Sequence, residues 1–188
     1  QKSLPGSLAL IFLAVSAPAA VWPEKFDIAS YAAPAGWQRQ ASASAIEFSN
    51  KDEAAGRFCI MTLYKSRAGS GDIDSDFRTE WRDKVNSRFP NTPAPKNETA
   101  PSPTGTEVSV GGGKVNFAGV EIAAILAIYR GGRRVISVLT LMNDGKCQEP
   151  FEKFLMSIKL TEPGQASLQE FSGRDKGRPP ADGVVGTW

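Results

Sequence analysis

The sequence predicts an α+β fold, a largely antiparallel sheet flanked by helices. Three observations carry this. β-rich runs fall in two groups, near residues 26–65 and 107–142. An apolar stripe of helical period lies between them, and a second apolar helix closes the pattern. The order is therefore strands, helix, loop, strands, helix, without the strand–helix alternation of a parallel sheet.

Taken in order, Phe26 to Tyr31 reads as a first strand, with Phe26 and Ile28 on one face. Pro34-Ala35-Gly36-Trp37 is a turn that delivers a tryptophan. Ala45 to Ser49 alternates around Ile46 and Phe48 as a short strand, followed by the polar turn Asn50-Lys51-Asp52-Glu53. Arg57 to Lys65 carries apolar residues on both faces, which predicts a central strand covered on both sides. Asp72 is a good N-cap, with Asp74 and Asp76 in the first turn, where the helix dipole favours acids. Ile73, Phe77, Trp81, Val85 and Phe89 then recur every four residues, so one helix face is core until Pro90 ends it.

Asn91 to Thr106 is a long proline-rich loop. Glu107 to Val110 and Lys114 to Phe117 read as short strands on either side of a turn at Gly111-Gly112-Gly113. Val120 to Tyr129 and Arg133 to Met142 flank Arg130-Gly131-Gly132 as a long hairpin. The last helix has Pro150 in its first turn and Phe151, Phe154, Leu155 and Ile158 on one face. From Thr161 to Asp182 the chain is polar, rich in Gly and Pro and without periodicity, which reads as a flexible linker.

The first residues address the protein rather than build it. Lys2 precedes an unbroken apolar run of eight residues, Leu8 to Val15, and Ala17-Pro18-Ala19 supplies small residues for cleavage after Ala19. This is the pattern of a signal peptide over residues 1–19, predicting a periplasmic or secreted protein. No stretch approaches the roughly 18 apolar residues of a transmembrane helix. The chain starts at Gln1 and stops at Trp188 just after the linker, which predicts a piece of a longer reading frame.

Composition removes several chemistries. The formal charge is +2, and +1 without residues 1–19, so no electrostatic argument favours nucleic acid. The chain has no histidine. Serine–histidine and cysteine–histidine mechanisms need one, as do the commonest zinc sites. Cys59 and Cys147 are the only cysteines. In an oxidising compartment they predict one disulfide, closing a loop of roughly 90 residues worth up to about 4 kcal/mol in the chain-entropy view. Two separate buried thiols are the alternative.

Asp72-Ile73-Asp74-Ser75-Asp76 has the acid spacing of a calcium loop. Phe77 stands where that loop needs glycine, however, and Asp83 where it needs glutamate. Lys114 after three glycines lacks the flanking residues of a phosphate loop. The sequence points to no cofactor and no metal. Asn97-Glu98-Thr99 has the form of a glycosylation sequon. For a ligand or partner surface the candidates are Trp37 and Tyr129 as aromatics, with Arg130, Arg133 and Arg134 at the hairpin tip.

The arrangement resembles the PsbP-like family of small α/β/α sandwich domains over roughly residues 24–160. The resemblance lies in Ala33-Pro34-Ala35-Gly36-Trp37, the strand Phe58–Tyr64, the helix with Asp76-Phe77 and Glu80-Trp81, the long hairpin, and the closing helix with Phe151, Phe154, Leu155 and Ile158. It implies a non-catalytic accessory or binding domain, often exported, with no catalytic residues to carry over. Gly186-Thr187-Trp188 after Val184-Val185 is similar to the opening of lipocalin-like barrels, as if a second domain began at 183–188. The expected function is an exported binding or assembly module with an unknown protein or small-molecule partner. The alternative is a cell-envelope hydrolase using carboxylates or a Ser/Lys pair.

Overall fold

The computed structural model describes residues 23–101 and 106–161. The expected signal peptide over residues 1–19, residues 162–182 of the expected linker and the expected second-domain start at 183–188 lie outside the described residues. What is described is α+β, mostly antiparallel sheet with two helices.

The main sheet runs β3 (Gln38–Ala41), β4 (Ala45–Asp52), β5 (Arg57–Tyr64), β10 (Arg134–Met142), β9 (Val120–Gly131), β8 (Glu107–Phe117) and β7 (Glu98–Pro101), in that spatial order. A two-residue strand, β6 (Arg67–Ala68), pairs with the start of β10. Each of these pairings is antiparallel. A smaller sheet joins β1 (Glu24–Phe26), β2 (Ala29–Tyr31) and β11 (Lys159–Leu160).

Strand alternation sorts the core into two clusters. Even positions of β9 and odd positions of β10 pack with α1 (Ile73–Trp81): Ile122, Ala124, Leu126 and Ile128 with Val135, Leu139 and Leu141. The opposite parity, Ala127, Tyr129, Ile136 and Val138, packs with α2 (Gln148–Ser157) and the small sheet. The two central strands are therefore covered on both faces, which is why they read as almost unbroken apolar runs.

The expected helix from Asp72 is present, with the Asp72 carboxylate accepting from the Ser75 backbone N–H at 2.9 Å. Phe77 and Trp81 are fully buried and stack on each other. Each contributes on the order of 1.5–3 kcal/mol by leaving water. The helix is not regular to its end: Arg82–Asn86 is a π-helical turn. That widening keeps Val85 and Phe89 buried on the same side as Phe77 and Trp81.

Other expectations are corrected. Phe26 to Tyr31 is a tight hairpin of β1 and β2, because Asp27 adopts a left-handed φ of 53° and reverses the chain. The triple glycine is no turn but the middle of one strand, β8, in register with β9 from Glu107 opposite Arg130 to Phe117 opposite Val120. The helix explains this: a Cβ on Gly111 would lie 2.7 Å from Phe77 Cζ, and one on Gly113 would touch the Trp81 ring at 3.7 Å. Gly111 lets α1 lie close on the sheet. The proline-rich loop carries strand β7, and Thr92 in it accepts the Trp81 indole N–H at 3.3 Å. The linker cannot begin at Thr161, whose N–H donates to the Ile28 carbonyl at 2.7 Å.

Candidate functional site

The segment after β2 cannot continue the small sheet, because Pro34 and the left-handed Gly36 (φ 77°) bend it toward α2. Trp37 follows, half-buried against the core cluster under α2. Between this bend and α2 lies an apolar groove of about 430 Å³. Ala33, Pro34 and Trp37 form one wall, Pro150 and Phe154 the other. Glu149 and Lys153 rim it, paired with each other at 2.7 Å. Pairing with Lys153 holds the Glu149 carboxyl below its ordinary range.

Trp37 and Pro150 also line a second, charged cleft of about 200 Å³. Asp52, Arg57, Asp144 and Lys146 face it, with Cys147 on its wall. Arg57 sits between two acids, 2.7 Å from Asp52 and 3.8 Å from Asp144. Its hydrogen bond holds the Asp52 carboxyl below the usual carboxylate range.

The other expected surface residues fall elsewhere. Tyr129 is 3% exposed, facing the α2 core, and its hydroxyl donates to the Leu155 carbonyl at 2.9 Å. It is a packing residue, and burial pushes its pKa up. Arg130 binds Glu107 at 2.6 Å and reaches the Gly71 carbonyl. Arg134 donates to Ser66 and lies 4.0 Å from Asp27. These two arginines tie the hairpin tip to neighbouring loops. Arg133 alone of the three has an exposed side chain in the turn. The structure thus brings none of the three to Trp37. Pro150 and Phe154, which complete the groove, were legible only as helix start and core. Glu149 and Lys153 at i,i+4 spacing were the signal that this helix has an open face.

Cys59 and Cys147 stand as free thiols in this structure, both buried at 1% and 6% exposure. The Cys147 thiol lies 3.8 Å from the backbone carbonyl of Phe58, the residue next to Cys59. Burial pushes both thiols up.

The calcium-like run is divided among three tasks. Asp72 caps α1, and Asp74 accepts from Asn97 at 2.6 Å. Asp76 accepts from Arg67 at 3.2 Å and from the Ser70 N–H at 2.9 Å. Asn97 Nδ2 also donates to Ser109 at 2.8 Å, so the folded domain sequesters the sequon amide. Two carboxylates do converge: Asp76 and Glu80, 1% and 3% exposed, both bind Arg67. Ser137 donates to Glu80 at 2.6 Å, while Asp76 Oδ2 has no hydrogen-bond partner among the described residues. This cluster joins α1 to β6 and β10, and it lines neither cleft at Trp37. Such a buried pair costs desolvation that only good geometry offsets.

Comparison with known proteins bears on the architecture. No family model matches the chain, and no curated protein matches it in sequence. A solved structure from Bacteroides thetaiotaomicron VPI-5482 is similar, with a TM-score of 0.51 at 11% identity. The likeness is one of fold. It covers 73% of this chain and 47% of that one, so this chain spans about half the length of its structural neighbour. No helix among the described residues is long and apolar enough to cross a membrane.

Proposed function

We propose that this chain is an exported, non-catalytic binding or assembly module, an α/β/α sandwich of the PsbP-like kind, tethered by its C-terminal linker to a further domain. The observation that carries the binding role is the Trp37 groove. It is concave and mostly apolar, and its few polar groups, Glu149 and Lys153, sit at the rim. That composition suits burial of an apolar ligand or side chain with polar groups fixing its orientation. A tryptophan on the groove wall offers a large apolar face at low entropic cost.

The hydrolase reading finds less support. The converging carboxylates Asp76 and Glu80 are both engaged by Arg67 and lie apart from the groove. Two-dimensional NMR titration with a panel of apolar small molecules and apolar peptides tests the proposal. The expected shifts are confined to the Trp37 indole, residues 32–35 and the first turns of α2, and Trp37→Ala weakens binding at least tenfold. Binding that leaves the Trp37 indole unmoved would overturn the groove. Ester or peptide turnover lost in a folded Asp76→Asn variant would overturn the non-catalytic reading.

A further inference from the structure

We propose that Cys59 and Cys147 close into a disulfide that staples the N-terminal end of α2 to β5, and that this staple sets the shape of the Trp37 groove. Only the consequence for ligand binding rests on the groove being a binding site.

The placement follows from the sheet. Met142 at the end of β10 pairs with Cys59 on β5. The chain then folds back across β5. Asn143 Oδ1 accepts the Phe58 N–H at 2.8 Å, and the Asn143 N–H donates to the Phe58 carbonyl at 3.3 Å. The Cys147 thiol reaches the same carbonyl at 3.8 Å, one residue from Cys59 along β5. The only two cysteines of the chain thus meet where a loop joins the last long strand to the last helix.

The two ends of α2 are held differently. Its C-terminal half is anchored by buried Phe154 and Ile158, by Tyr129 bonding the Leu155 carbonyl, and by the Ala32 N–H donating to Ser157 at 2.9 Å. Its N-terminal half is held by Phe151, 7% exposed in the same core, and its N-cap is Cys147 itself, which makes no side-chain capping bond. Pro150, three residues on, lines both the groove and the charged cleft with Trp37. A covalent bond at Cys147 would therefore add a fixed tie to β5 at the end of α2 that carries the groove wall.

The chemistry is thiol–disulfide exchange with a disulfide-bearing oxidant, either a small-molecule disulfide or an oxidoreductase. Cys147 lines the charged cleft and so attacks first. Its thiolate displaces one thiolate of the oxidant and leaves a mixed disulfide. Cys59 then attacks the Cys147 sulfur and displaces the second. The protein loses two protons and two electrons, and the oxidant is reduced to two thiols. Burial disfavours both thiolates, so closure is fastest before the domain has fully packed and the bond is shielded afterwards.

The full chain, refolded with glutathione disulfide, is the test. Thiol titration in denaturant without reductant is expected to find no free thiols, with a mass two hydrogens below the reduced protein and no glutathione adduct. Reduction with dithiothreitol is expected to shift the Trp37 indole resonance, assigned through Trp37→Phe, and the same reductant should leave it unmoved in a Cys59→Ala/Cys147→Ala variant. Two free thiols after oxidative refolding overturn the bond. A bond whose reduction leaves the Trp37 resonance in place overturns the stapling of the groove. Neither result depends on a ligand being found, which the titration with apolar compounds decides separately.

Discussion

Asp27 shows how much one residue does in this fold. It takes the left-handed conformation that turns β1 into β2, and its carboxylate accepts from the Ser66 N–H at 2.8 Å and from the Ser66 hydroxyl. Burial pushes its pKa up, but the Ser66 hydrogen bonds and the Arg134 and Lys65 charges outweigh that, and the net shift is below the ordinary 3.8. A folded value below the unfolded one means stability that is complete above pH 3.8 and is lost as pH falls through the folded value. Asn tolerates a left-handed φ as Asp does. Asp27→Asn should therefore be less stable than the parent near neutral pH, and the difference should shrink at pH below the carboxylate range. Urea unfolding at both pH values checks this, and a difference independent of pH would contradict it. Single residues of the groove were less legible. Trp37 stood out because a turn delivers it, whereas Tyr129 looked equivalent in sequence. Only the fold shows that one faces a cleft and the other the core, since strand parity gives two faces without saying which is covered.

At the scale of elements, helix α1 and strand β8 have to be understood together. The four-residue apolar stripe predicted the helix, and the acids before it predicted its start. The glycines of β8 carried no such signal, because a Gly-rich run is the usual mark of a turn. The need for glycine at 111 is set by a helix more than twenty residues earlier, through contacts no local pattern encodes. Gly111→Ala would place a methyl 2.7 Å from Phe77 and 3.2 Å from Pro95. It should cost roughly 1–3 kcal/mol, the usual range for overpacking. Gly113→Ala meets Trp81 only at ordinary contact distance, 3.7 Å. It should be neutral or stabilising by up to about 1 kcal/mol, since Ala loses less backbone freedom than Gly on folding. Denaturant unfolding of the two variants separates these outcomes. Equal costs would mean that helix packing does not select the glycines.

For the whole molecule, the C-terminal boundary is the testable point. Ile158 is buried in the α2-side core, Leu160 pairs with Ala29 in the small sheet, and Thr161 bonds to Ile28. A chain ending at Thr161 should unfold at the same midpoint as the full chain. One ending at Ser157 should lose several degrees or fail to fold, because β2 then loses its outer neighbour and the core loses Ile158. Circular-dichroism melts of the two truncations check this, and an unfolded chain at Thr161 would place residues 162–188 within the fold. The sequence by itself determined the α+β class, the position of both helices, the long hairpin and the absence of histidine chemistry. These follow from local periodicity and composition, which each segment carries alone. Tertiary structure decided which aromatic faces a groove, that three glycines lie inside a strand rather than at a turn, and that two cysteines far apart in the chain come close together. Those depend on strand order and register, which arise only when distant segments pair and close their core.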